Sequence, residues 1–172
     1  MNFFAIIFSG FVLLSNLAYA NDALQQGDTP PDYLGRDKNG DEVNISAYKG
    51  KLVVVSFWAS WCGPCRKEFP FLVNLQKSAP DKVQVVLINY KEDRKIFRKL
   101  SQQFGDKLLI THDRRGSIGK TFNVQGLPNM FVIDQQGLLA YHNVGYGESS
   151  IEKIVGQLNQ LIVEHSRAQE SE

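Results

Sequence analysis

Runs of apolar residues alternate with polar stretches along the chain, and their spacing changes from run to run. Leu52 to Trp58 is almost wholly apolar and rich in β-branched residues, which predicts a strand buried on both faces, as in a parallel sheet. Val83 to Ile88 repeats that pattern. Between them Cys65, Phe69, Leu72, Val73 and Gln76 recur at helical spacing. Pro70 is expected to kink this helix by removing one backbone hydrogen bond, and Pro80-Asp81 to end it. Asp93 can cap a second helix whose apolar positions are Ile96, Phe97, Leu100 and Phe104, closing at Gly105. A short strand over Leu108–Ile110 and a short helix over Ser117–Phe122 follow. Asn129–Ile133 and Leu138–Tyr141 flank Asp134-Gln135-Gln136-Gly137, a hairpin signal. Ser149–Glu164 is a last amphipathic helix, and His165 onward is polar and expected to fray.

Upstream, Asn21 to Pro31 is a polar, extended lead-in. Tyr33-Leu34-Gly35 and Asp41 to Ile45 flank a turn at Asn39-Gly40, where both residues tolerate positive φ. The order of units therefore predicts an α/β fold: a mixed central sheet flanked by helices on both sides, with an N-terminal β-hairpin extension.

Residues 1–20 stand apart. Phe3 to Leu14 is apolar apart from Ser9 and Gly10, and Ala18-Tyr19-Ala20 is a small-x-small cleavage pattern. Together they predict a secretory signal peptide cut before Asn21, although Met1-Asn2 offers no basic side chain. An uncleaved membrane anchor competes, but the apolar stretch is shorter than the roughly 20 residues that a spanning helix needs. The 152 residues then left of 172 suit one domain, over 21–166, with a flexible tail at 167–172.

The formal net charge of +1 argues against a nucleic-acid footprint or a polybasic membrane patch. Export places the chain where disulfides persist, yet Cys62 and Cys65 are the two cysteines it has, so no second pair supplies a structural staple. Their chemistry follows from where the strand hands over to the helix. There Cys62 meets unpaired N–H groups and the positive end of the helix dipole, which stabilise a thiolate. Cys65, one turn inside, is placed to attack a mixed disulfide at Cys62. Pro64 removes an N–H that would lack a partner and sets φ for the first turn, while Gly63 leaves the approach open. A stable disulfide or half a metal site is the plainer alternative. Zinc needs about four ligands, and the three histidines are isolated in the sequence; no metal and no other cofactor is expected.

Phe57-Trp58-Ala59-Ser60-Trp61-Cys62-Gly63-Pro64-Cys65-Arg66-Lys67-Glu68-Phe69-Pro70 resembles the TlpA/ResA-type branch of the thioredoxin superfamily, bacterial extracytoplasmic thiol-disulfide oxidoreductases often engaged in cytochrome c maturation. The resemblance extends over Pro31-Asp32, Lys49-Gly50-Lys51, Val124-Gln125-Gly126-Leu127-Pro128, Phe131 to Asp134, and Val144-Gly145-Tyr146. It implies a thioredoxin-like fold in which Pro128 is cis and faces the dithiol, with the backbone at Leu127 pairing to a bound partner like an added strand; otherwise Gly126-Leu127-Pro128 is an ordinary turn. It also implies a glutamate beside the dithiol at Glu68, where a solvated helix carboxylate is the alternative. Thioredoxins proper carry a buried aspartate where this chain has Ser56, so Glu68 or water must take the resolving thiol's proton. Trp61 is expected to shield the site, Trp58 to belong to the core, and Arg66 and Lys67 either to favour the thiolate or to form a solvated face.

These readings combine into a periplasmic reductant of protein disulfides, monomeric, with Cys62 attacking and Cys65 resolving. The chain has no nucleotide or flavin motif, so a membrane thiol donor is expected to supply electrons. A disulfide oxidase or isomerase is the runner-up, and a thiol-regulated binding module without turnover is a reading from another class. A peroxidase would need an upstream Thr and Pro that are missing, and a copper carrier would need a partner such as His142.

Overall fold

The computed structural model describes residues 23–147 and 149–170; the expected signal peptide lies outside the described residues. The elements are β1 (Tyr33–Arg36), β2 (Glu42–Asn44), a 3-10 turn (Ile45–Tyr48), β3 (Leu52–Trp58), α1 (Gly63–Ser78), β4 (Val83–Tyr90), α2 (Arg94–Phe104), β5 (Leu109–Asp113), α3 (Ser117–Thr121), β6 (Asn129–Ile133), β7 (Leu139–Val144) and α4 (Ser150–Glu170). The main sheet has the order β5-β4-β3-β6-β7, and β1 pairs with β2 separately. β3 lies at its centre, parallel to β4 from Leu52↔Val83 to Trp58↔Asn89 and antiparallel to β6 from Val53↔Ile133 to Phe57↔Asn129. β5 continues the parallel half, and β7 completes the antiparallel half.

Every residue of β3 is buried, as its unbroken apolar run predicts. Its alternation divides the interior into two layers. Leu52, Val54 and Trp58 join the layer under α1, α2 and α4, with Leu72, Phe97, Ile154 and Leu158. Val53, Val55 and Phe57 face the opposite layer, closed by α3 and the hairpin through Leu34, Val43, Ile118 and Phe122. The hairpin sits close: a Cβ at Gly35 would come within 3.0 Å of Thr111 Cβ, and Thr111 Oγ1 donates to the Leu34 carbonyl at 2.5 Å. The lead-in also takes part, since Gly27 N–H donates to Leu139 O and Leu139 N–H to Asp28 O, both at 2.8 Å. That pairing covers the start of the edge strand β7.

Several boundaries differ from the sequence expectation. α1 runs through Pro70 as one helix, so the proline removes a backbone donor without dividing the element. β4 extends to Tyr90 because Asn89 and Tyr90 pair with His112 and Asp113 of β5, which itself starts at Leu109. β7 spans Leu139–Val144, and Ile45 begins the 3-10 turn instead of extending β2. α4 continues to Glu170, past the Glu164 and the fraying at His165 read from polarity. No Gly or Pro follows Gly156 to stop it, and Gln160 Nε2–Glu164 Oε1 (2.9 Å) and Ser166 Oγ–Ile162 O (3.0 Å) bond along its surface.

Phe57 ties the second layer together, with ring centroids 6.0 Å from Tyr90, 5.5 Å from Phe122 and 6.0 Å from Phe131. Truncation to alanine should cost about 3–5 kcal/mol in denaturant-induced unfolding, combining lost transfer energy and an unfilled cavity. An unchanged unfolding midpoint would contradict this packing.

Candidate active site

β3 ends at Trp58, and Ala59 to Trp61 turn the chain into α1. Cys62 is the N-cap of that helix, extended at φ −79° and ψ 104°, and its Sγ accepts from the Cys65 backbone N–H at 3.2 Å. The Cys62 N–H donates back to Ala59 O at 3.1 Å, which closes the turn. Cys62 and Cys65 form a disulfide with a Cα–Cα distance of 5.3 Å, and both residues are buried. Gly63 and Pro64 open the helix between them, where the first-turn N–H groups have no intrahelical acceptor. A Cβ at Gly63 would meet nothing nearer than the Arg66 guanidinium at 3.9 Å, so this face of the turn is open.

Glu68 lies one turn beyond Cys65 on α1, in the buried layer that also holds both cysteines. It is 3% exposed, which excludes a solvated helix carboxylate. Ser56, on the helix-facing side of β3, donates from Oγ to Glu68 Oε2 at 3.0 Å. Burial raises the Glu68 pKa from its ordinary 4.5 to about 7, against a smaller opposing effect of the Ser56 hydrogen bond. A carboxyl able to gain or lose a proton near neutrality therefore lies buried one helical turn from Cys65.

The Leu127-Pro128 peptide is cis. The register Phe57↔Asn129 brings Pro128 to the end of the sheet where β3 passes into the dithiol turn. Leu127 is half-buried and packs against the cluster that contains Cys62 and Cys65. Pro128 is buried, and its carbonyl accepts from Gly145 N–H at 2.9 Å. Trp61 is 68% exposed, so it offers a flat apolar surface next to Cys62. Trp58 belongs to the core, 5.1 Å from Phe69 between ring centroids. Arg66 Nη1 donates to Ser60 O at 2.8 Å, which makes it a brace for the turn. With Lys67, Gly63, Pro64 and Tyr146 it borders a concavity of about 430 Å3. His142 lies elsewhere, bonded through Nε2 to Asn129 Oδ1 at 2.7 Å and stacked on Phe131. Burial lowers its pKa. Among the described residues no group of three or more His, Cys, Asp or Glu side chains gathers to hold a metal.

Sequence reasoning missed Glu92. This buried carboxylate accepts from Ser60 N–H at 2.8 Å, Ser60 Oγ at 2.5 Å and Asn89 Nδ2 at 2.6 Å. It thereby holds the turn two residues before Cys62 from the β4 side, opposite Arg66. Its place just past the carboxyl end of β4, beside that of β3, was the available signal, because α/β sheets build their sites there. The polar run Lys91-Glu92-Asp93 reads as a solvated link in one dimension.

Two outcomes follow from these carboxyls. Glu68 keeps its proton to higher pH in the folded than in the unfolded chain, so the unfolded state ionises first as pH rises. The oxidised protein should lose roughly 3 kcal/mol of stability from this group between pH 4.5 and about 7. Denaturant titrations across that range should show a shallower decline for Glu68→Gln, and an identical slope would contradict the burial argument. Glu92→Ala leaves the buried Asn89 amide and the half-buried Ser60 donors without this acceptor and should cost on the order of 1–3 kcal/mol; a variant as stable as wild type would show that the clamp is dispensable.

Residues 25–158 match the Redoxin family. Thioredoxin-like protein YneN of Bacillus subtilis is 30% identical over 141 residues, covering 80% of this chain and 82% of its own length. Thiol-disulfide oxidoreductase ResA of Geobacillus kaustophilus is 32% identical over 129 residues, 74% of each chain. A Chlorobium tepidum crystal structure described as a thiol:disulfide interchange protein DsbE superposes with a TM-score of 0.75 at 31% identity, covering 81% of this chain and 99% of that one. The sheet order, the paired cysteines at the entrance to α1 and these likenesses agree: the chain belongs to the Redoxin family, as a TlpA/ResA-like thiol-disulfide oxidoreductase of the thioredoxin superfamily.

Proposed function

We propose that this protein is an extracytoplasmic, monomeric reductant of protein disulfides. The observation that supports the reading is the placement of the dithiol at the entrance of α1, one helical turn before a buried carboxyl whose pKa burial raises to about 7. In the reduced state the helix entrance stabilises the Cys62 thiolate. That thiolate attacks one sulfur of a target disulfide, forming a mixed disulfide and expelling the target's other sulfur as a thiolate. Glu68, ionised at this point, takes the Cys65 proton. The Cys65 thiolate then attacks Cys62 Sγ, releases the second target thiolate and leaves the Cys62–Cys65 disulfide. The target gains two electrons and, from solvent, two protons.

The Leu127-Pro128 segment, at the end of the sheet where β3 passes into the dithiol turn, suits main-chain pairing with an extended substrate, while Trp61 and the open face at Gly63 and Pro64 supply the approach. Reducing equivalents return from a membrane thiol donor. The apolar leader with its Ala18-Tyr19-Ala20 end supports an extracytoplasmic site of action, and cytochrome c maturation is the setting to which the ResA likeness leads.

The Gly-Pro pair between the cysteines matches thioredoxin, whose potential is about −270 mV. Equilibration with glutathione should give a value in that region; one near −120 mV, as in DsbA, would make the protein an oxidant. Cys65→Ser should accumulate mixed disulfides with client proteins through Cys62. Failure of that variant to capture any disulfide-bonded client would sink the reductant cycle.

A further inference from the structure

Away from the dithiol, the β1–β2 turn, the first turns of α2 and the turn after β5 enclose a second cleft of about 440 Å3. Its walls bring Arg36, Lys38, Arg94, Arg98 and Arg114 together against one acid, Asp37. The chain as a whole is nearly balanced, with 19 basic and 18 acidic side chains, so this is a local concentration of charge. The acids that could neutralise it are engaged. Asp37 Oδ1 accepts from the Asn39 and Asp41 N–H groups and so serves its own turn. The two ion pairs among the described residues, Arg36–Glu42 and Lys38–Asp106, both lie at this rim and satisfy the hairpin's cations. Asp93 caps α2 through the Ile96 and Lys95 N–H groups, the main causes of its lowered pKa, with Arg114 adding a smaller effect from further off.

Arg94, Arg98 and Arg114 are left with no carboxylate within 4 Å among the described residues. Arg94 and Arg98 are also one helical turn apart on α2, where like charges repel. The cleft is concave and in the size range of small-molecule sites. One wall is the 41% exposed phenol of Tyr33, and another is His112, stacked 4.5 Å from Phe97.

We propose that this cleft binds a phosphate-class anion carrying two or more charges. Guanidinium forks recognise phosphate oxygens in pairs, which an ammonium cannot do. Three guanidinium forks without an ion-pair partner offer more donors than one carboxylate's two oxygens can use, whereas a multiply charged phosphate compound presents further acceptor oxygens. The site goes beyond the disulfide chemistry, because its arginines are distinct from the residues placed at the dithiol, although His112 Nε2 lies 2.9 Å from the Glu92 carbonyl behind it. The same chemistry is offered by a free phosphate compound and by an anionic lipid headgroup.

Calorimetric titration of the purified, oxidised protein with sodium pyrophosphate at low ionic strength tests this. One saturable site is expected, weakened about tenfold or more by Arg94→Gln with Arg98→Gln, and likewise by Arg114→Gln. Lys153→Gln, on exposed α4 outside the cleft, should bind as wild type does. Disulfide-reductase activity and thermal midpoint verify that the variants are folded; should the double variant fail, Arg98→Gln alone takes its place. A parallel arm uses phosphatidylglycerol vesicles. Vesicle binding that pyrophosphate displaces identifies a headgroup as the source, and pyrophosphate binding without vesicle binding identifies a free phosphate compound. Absence of saturable pyrophosphate binding, or equal weakening by Lys153→Gln, overturns the proposal.

Discussion

Burial of β3 on both faces governs the placement of everything else in this molecule. A strand that buries all seven of its residues must lie between neighbours in the sheet and between two packed layers. β4 and β6 supply the first, and the helices with the N-terminal hairpin supply the second. The run ends at Trp58, so the chain leaves the interior at one fixed point, and the first position able to cap a helix after the turn is Cys62. Beyond the cap and turn that Cys62 makes itself, the dithiol is held there by residues from other elements. Glu92, just past β4, and Arg66 from α1 grip Ser60 from two sides, and the antiparallel register with β6 carries Pro128 to the same end of the sheet.

The same burial shapes the chemistry. Ser56 lies on the helix-facing side of β3, where its hydroxyl is the partner offered to Glu68. A single neutral hydrogen bond cannot replace the hydration that a carboxylate loses on burial, so the protonated form gains and the pKa rises. A charged partner in place of Ser56 would alter that balance. The pair thus makes a proton acceptor of moderate strength within a largely apolar layer.

Much of this was legible in one dimension. The unbroken run Leu52–Trp58 and the helical spacing after Cys65 fixed the strand, the helix and the dithiol between them. Asp93 announced its cap, and its Oδ1 does accept from Lys95 and Ile96 N–H. The cis bond before Pro128 was available through family resemblance, since the local turn signal alone was ambiguous. What could not be read were contacts between residues distant in sequence. Whether Glu68 was solvated or buried depended on which helix face met Ser56, twelve residues earlier on another element. Glu92 sat in a polar run and became a clamp only because parallel pairing sets the ends of β3 and β4 side by side. The charge concentration between β1, α2 and β5 was hidden by a balanced total. The end of α4 is not marked by polarity, because polar residues alone do not stop a helix and no Gly or Pro follows Gly156.

Glu68, buried one helical turn from Cys65, titrates near neutrality. NMR titration of the Glu68 side-chain carbonyl carbon in the oxidised protein measures this directly, with Glu68→Gln supplying the assignment. The structure predicts a midpoint at about pH 7; a midpoint at the ordinary 4.5 would contradict it.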